Sequence, residues 1–213
     1  MKRIIFASLF SVLIINSFSQ INESIAIKIG FPVVVGNNFL NNKNSEYKNE
    51  NSEFKYKGVA DIGIDYSFYR MKDLEFGLLF NATFLSLDIS NVNLMMLTPK
   101  LKMDYNLNIN KVEIKPQISF GYSNWRFTQP DYQIGEGNEE MKIKGINVNY
   151  NGLSVMFANK LSWNMNKRIN CYLEFAYEFT RLEKPNNNII DNSHNRNLQL
   201  FYPRVGIIWN FRN

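Results

Sequence analysis

Ser193 and His194 set a hydroxyl beside an imidazole, and His194 is the only histidine in the chain. Nucleophilic catalysis would need that imidazole to take the serine proton, with an acid to orient it. The two are sequence neighbours in the polar run DNSHNRN, which reads more plainly as a solvated loop. Glu174 and Glu178 are the next candidates, as a carboxylate pair. On a strand, an i, i+4 spacing separates them by roughly 13 Å, too far for shared acid/base work. They are better suited to pairing with Arg204 or Lys28 across strands. Cys171 is the only cysteine, so no intramolecular disulfide forms. Zinc-ligand spacing, a phosphate-binding glycine loop and a nucleophile elbow are all missing from the sequence. The sequence therefore assigns no catalytic residue, no metal ligand and no cofactor, and the chain reads as non-enzymatic.

The elements that carry these residues begin after a leader. MKRIIFASLFSVLIINSFSQ has a basic start at Lys2 and Arg3, an apolar stretch from Ile4 to Ile15, and small residues at Ser17 and Ser19. This is the layout of a Sec-type signal peptide, residues 1–19, and its apolar stretch is too short for the roughly 20 residues of a bilayer-spanning helix. Residues 20–213 then form one domain. The chain has 24 Lys and Arg against 19 Asp and Glu, and two of the cations lie in the leader. That balance is too even to suggest nucleic acid as a partner. No later window is long and apolar enough for a helical span, so membrane residence would have to take the form of a barrel.

Strict alternation of apolar and polar residues recurs in eight segments, the pattern of strands and not of helices. Ile25, Ile27, Ile29, Phe31 and Val33 alternate with Ala26, Lys28 and Gly30. Ile62, Ile64, Tyr66 and Phe68 oppose Asp61, Gly63, Asp65 and Ser67. Phe76 to Phe84, Leu97 to Tyr105, Val112 to Tyr122, Leu153 to Trp163, Ile169 to Phe179 and Phe201 to Phe211 continue the rule. Short turns at Arg70–Asp73, 106–110 and 164–167 alternate with the connections 36–53, 88–92, 128–144 and 181–196. Of these, 36–53 is rich in asparagine and reads as solvated. An all-β, up-and-down antiparallel sheet of eight strands follows, with short turns at one end and mostly long connections at the other.

A soluble sandwich or a lipocalin-like barrel would turn the apolar rows inward. Those rows hold more aromatic and aliphatic volume than a small eight-stranded interior can take. The opposite rows mix Gly, Ala and Ser with charges of both signs, which suits a narrow polar lumen filled by side chains. The expected lumen charge network is Lys28, Asp61, Asp65, Lys102, Glu113, Glu174, Glu178 and Arg204. Aromatics near segment ends, among them Tyr66, Tyr105, Tyr122, Trp125, Trp163, Tyr177, Tyr202, Trp209 and Phe211, are expected as interfacial girdles. Pro99, Pro116 and Pro203 are expected at bulges or near loops on the lipid side.

The end of the chain adds a resemblance. Arg204-Val205-Gly206-Ile207-Ile208-Trp209-Asn210-Phe211 is similar to the terminal β-signal of bacterial outer-membrane barrels, polar-x-Gly-x-x-aromatic-x-aromatic. Most such chains stop at the last aromatic, whereas this one adds Arg212-Asn213. With the leader and the eight segments, the whole chain resembles small eight-stranded outer-membrane β-barrel proteins of the Bacteroidota type. The resemblance implies a porin-like transmembrane barrel in the cell outer membrane, with outer-membrane lipid and the barrel-insertion machinery as partners. Arg204, Gly206, Trp209 and Phe211 would be the C-terminal insertion signal. A structural or interaction role through the outward loops is expected, with a protein partner at 36–53 and 128–144 or a place as accessory subunit of an outer-membrane or secretion complex. The alternatives are a lipid-modifying enzyme in the same fold, and a narrow channel or carrier of a small apolar ligand.

Overall fold

The computed structural model describes residues 23–36, 56–87, 93–109, 112–128, 132–134, 141–143, 147–183 and 196–211. The expected leader, the pair Ser193–His194, Arg212-Asn213 and most of the long connections lie outside the described residues. Eight long strands make the wall: β1 (Ser24–Gly30), β2 (Tyr56–Met71), β3 (Leu74–Leu87), β4 (Asn93–Tyr105), β5 (Val112–Thr128), β6 (Asn147–Asn164), β7 (Ile169–Leu182) and β8 (Asn197–Asn210). Each pairs antiparallel with its sequence neighbours, and β1 closes on β8 from Ser24↔Asn210 to Gly30↔Arg204. The barrel is closed. Short pieces extend the wall: Val33–Val34 continues β1 along β8, and Leu107–Ile109 pairs with β5. Tyr132–Ile134 and Met141–Ile143 form a separate two-stranded ribbon in the β5–β6 connection.

The turns are local chemistry. Met71↔Leu74 is joined through Lys72-Asp73, with Lys72 at φ 54, the positive φ that the tight turns of two-residue hairpins use to follow the right-handed twist of their strands. Between β6 and β7, the Asn166 side-chain oxygen accepts from the backbone N–H groups of Arg168 and Ile169, each at 2.8 Å. An asparagine satisfying its own turn in this way makes a compact reversal.

The prolines lie elsewhere than in bulges. Register shifts fall between Gly58 and Ala60 and between Ser67 and Tyr69, all in β2. Pro99, Pro116 and Pro203 sit inside strands in continuous register with Phe80, Asn159 and Phe175 respectively. Each is paired on one side while the ladder on its other side is interrupted or ends. The β4–β5 pairing passes from Leu97↔Asn124 to Lys100↔Gly121 without Thr98 and Pro99, and it ends at Asp104↔Gln117, next to Pro116. The β1–β8 pairing ends at Gly30↔Arg204, next to Pro203. A barrel residue's N–H points to one neighbour only, so proline removes a bond on that side and leaves the other ladder whole. At the first gap, the hydroxyls of Thr98 and Ser123 stand 3.0 Å apart and bond across it.

Gly206 shows why the terminal strand carries glycine on its inward row. It pairs with Tyr172 of β7, and a Cβ on it would lie 2.5 Å from that ring. The tyrosine ring covers the glycine, so the two positions share one volume. Gly206→Val is expected to displace the ring and destabilise the barrel by about 1–3 kcal/mol, read as a lower urea midpoint of the gel-mobility transition. An unchanged midpoint would show that the ring has room to move.

Candidate functional site

Strand alternation gives the barrel two faces of opposite chemistry, and they are inverted relative to a soluble protein. Outward side chains include Ile27, Ile64, Leu101, Leu153, Phe157 and Ile207, all exposed, with Leu153 at 68%. The buried inward rows contain Lys28, Asp61, Asp65, Lys100, Lys102, Asp104, Lys115, Lys160, Glu174, Glu178 and Arg204. Water solvates charges better than apolar carbon, so this arrangement is stable only where the outside is not water.

The inward charges form one chain of contacts. Lys28 lies 3.2 Å from Asp65 and 3.1 Å from Glu174. Arg204 bridges Asp61 at 2.6 Å and Glu174 at 2.8 Å. Lys160 reaches Asp65 at 2.6 Å and both Asp104 and Glu174 at 3.8 Å. Lys102 joins Asp104 at 2.9 Å to Glu75 at 3.8 Å, and Lys115 links Glu75 at 3.6 Å to Glu113 at 3.4 Å. Lys100 and Glu178 pair separately at 2.9 Å. Hydroxyls and rings fill remaining valences: Thr83 donates to Asp61 at 2.6 Å, and the Tyr202 ring stacks 4.1 Å from the Arg204 guanidinium.

All eight charged residues singled out in the sequence therefore lie on the inward rows, and Glu113 is the outermost, at the short-turn rim. Lys160, Glu75, Asp104 and Lys115 belong to the same lattice, and Lys100 joins the inward rows through its separate pair with Glu178. The inward row of each strand carries them, so simple parity marks them too. Which cation meets which anion depends on closure, since Lys28 and Glu174 are 146 residues apart.

Two aromatics are corrected. Trp125 and Tyr202, grouped with the interfacial girdles from their place near segment ends, are fully buried in the lumen. Both share parity with inward residues, Trp125 with Gly121 and Ser123, Tyr202 with Arg204. They belong to an apolar tier near the long connections, with Leu85, Leu94, Met96, Leu182, Leu198 and Leu200. A polar lumen describes only the half toward the short turns.

Of the C-terminal motif, Arg204 is in the lattice, Gly206 lies under Tyr172, and Trp209 and Phe211 point outward, about half exposed. The Phe211 N–H donates to the Glu23 carbonyl at 3.0 Å, extending closure to the last described residue. Cys171 is free and half-buried. Among the described residues no group of three or more His, Cys, Asp or Glu could hold a metal. The lattice pairs each of its cations with at least one carboxylate, and its ion pairs tie strands to one another across the interior.

The fold is that of small outer-membrane barrels. Neisserial surface protein A superposes with a TM-score of 0.52 at 12% identity, over 89% of this chain and 97% of that one. A major outer membrane protein from Thermus thermophilus gives 0.50 at 12%, over 89% and 99%. Outer membrane protein AlkL gives 0.50 at 10%, over 91% and 92%. The similarity lies in fold, since no protein-family model and no curated protein matches the sequence.

Removing one member of the lattice leaves its partners charged and dry. Glu174→Gln strips a counter-charge from Lys28, Arg204 and Lys160, and a destabilisation of about 3–5 kcal/mol is expected from urea titration in detergent. The double variant Lys28→Met, Glu174→Met removes a charge of each sign and is expected to recover part of that loss. Equal stability of Glu174→Gln and the parent would mean that the pairing contributes nothing.

Proposed function

We propose that this chain is an integral protein of the bacterial outer membrane, non-enzymatic, with a closed barrel as anchor and a structural or interaction role carried by its outward connections. The single observation behind this reading is the inversion of the two faces. A soluble protein rarely leaves more than a few hundred Å² of contiguous apolar surface in water, and here it encircles the molecule. On β8 the outward apolar row runs from Phe201 to Trp209, a height of roughly 20 Å at the usual strand rise and barrel tilt. Polar partners mark its upper limit: Tyr177 donates to Gln199 at 2.6 Å, Tyr122 to Glu183 at 3.1 Å, and Asn124 bonds Asn151 at 2.7 Å, all on the exposed face. Such a band fits a bilayer's hydrocarbon, with tyrosines at its boundary.

The filled lumen supports an anchor over a pore. Met96, Met156, Leu200 and Tyr202 are fully buried across it, and eight strands leave an interior that side chains can close. A channel or apolar-ligand carrier would need that space. Arg204, Gly206, Trp209 and Phe211 are proposed as the terminal insertion signal read by the assembly machinery, and a Bacteroidota-type barrel is proposed from that motif taken with the leader and the eight amphipathic segments. Connections 36–53 and 128–144 are proposed to meet a protein partner, as in an accessory subunit of an outer-membrane or secretion complex.

Outer-membrane fractionation, with faster gel migration before boiling than after, is the expected behaviour. Recovery of the mature chain as a soluble periplasmic protein would overturn the reading. In planar bilayers no stable conductance step is expected, and reproducible openings would replace the anchor with a pore. Ser193→Ala with His194→Ala is expected to leave the lipid A mass spectrum unchanged; a lost modification would install the enzymatic alternative.

A further inference from the structure

The outward face of the barrel carries one side chain at odds with the apolar band around it. Asn159 points outward from β6 and is exposed. Phe157 and Val155 precede it on the same row, and Leu161 and Trp163 follow it. Register sets Pro116 of β5 on one side of it and Phe175 of β7 on the other. At the usual strand rise and barrel tilt, Asn159 lies roughly 10 Å from the level of Trp163 and roughly 20 Å from that of Asn151, whose bond to Asn124 marks the upper limit of the band. No other outward side chain within the band, among the described residues, is an amide or carries charge. The Asn159 carboxamide bonds to none of the described residues.

Hydrocarbon gives such a group nothing to bond. Lipid chains hold neither donor nor acceptor, so a bare amide at this depth keeps the full cost of losing water. A second amide removes that cost, because a carboxamide is donor and acceptor at once and two of them bond reciprocally. Membrane insertion supplies the match in height. Copies inserted in the same direction are related by a two-fold axis along the membrane normal, which holds each residue at the depth of its counterpart. Asn159 therefore meets Asn159 by rotation alone. The wall beside it allows close approach, since Ile114, Pro116 and Ile118 of β5 stand only partly clear of their neighbours. Facing walls cross at about twice the strand tilt, so contact is a compact patch around the axis and not a seam along one strand.

We infer that two copies of this chain pair within the membrane through the β5–β7 side of the wall, with Asn159 of each bonded to the other at the two-fold axis. The inference rests on the membrane placement proposed above. Lipid is the poorer occupant because it lacks the groups, and a different protein would need a polar side chain of its own at one particular depth. The same patch serves both copies, so the assembly closes at two. Apolar contact alone gives little selectivity between barrel and lipid, which leaves the amide pair to set the register of the contact.

The test is single-molecule photobleaching of the mature chain in phospholipid vesicles at increasing lipid dilution, with dye on Lys167→Cys in a Cys171→Ser background. Two-step bleaching is expected to give way to one-step bleaching as the protein is diluted. Asn159→Leu is expected to need about tenfold more protein per lipid to pair, with heat-modifiable migration kept, and Asn159→Gln to restore most of the pairing. In intact outer membranes, Leu161→Cys in the same background is expected to crosslink to its own copy. Ile64→Cys, exposed on the opposite wall, is expected not to. An inserted, heat-modifiable parent that bleaches in one step at every density would overturn the pairing and leave the barrel anchor standing, whereas failure to insert would overturn both. Unchanged pairing in Asn159→Leu would overturn the role of the amide. Crosslinking of Leu161→Cys to another protein alone would replace the second copy with that partner.

Discussion

The pairing of β1 with β8 removes the two open edges that any flat sheet would leave, and the rest of the molecule depends on it. Inside hydrocarbon no water can satisfy an edge N–H or C=O, so strands can cross a membrane only as a ring. Closure also sets the diameter. At eight strands the interior is narrow enough for side chains from opposite walls to touch, and this brings Lys160 of the sixth strand to Asp65 of the second.

Confinement then dictates the chemistry of the interior. A lone charge there would lose its hydration without compensation, so each cation sits between two or three carboxylates, most of them on other strands, apart from the simple pair of Lys100 with Glu178. The lattice couples six or more strands through directional contacts, which an oily core would not specify. Above it, leucines, methionines and the aromatics Trp125, Tyr150 and Tyr202 pack together, with the Tyr202 ring lying against the Arg204 guanidinium. The lumen is therefore graded, with apolar packing toward the long connections and charges and amides toward the short turns. Where the backbone ladder is broken by proline, side chains take over, as Thr98 and Ser123 do beside Pro99.

Much of this was legible in the sequence. The period-two pattern of Ile25–Ile29, Ile169–Phe179 and Phe201–Phe211 places each residue on a face, because strand geometry allows no other periodicity. The volume of the apolar rows, against the small and charged opposite rows, places apolar side chains outside. The same parity held the inward positions of Trp125 and Tyr202, but their closeness to segment ends suggested a girdle. Position along a strand and side of a strand are independent, and for these two residues the side decided. Pro99, Pro116 and Pro203 suggested bulges since a proline forfeits a donor; a closed barrel tolerates them because only one of the two flanking ladders loses a bond.

What the sequence determined by itself is the set of strands, their alternation and which face carries charge, since these follow from neighbours one and two residues apart. The tertiary structure alone decided who meets whom. Lys28 with Glu174, Arg204 with Asp61 and Tyr172 over Gly206 all depend on register and closure. Those are properties of the ring as a whole, because a contact across the lumen exists only once every intervening strand has fixed its place.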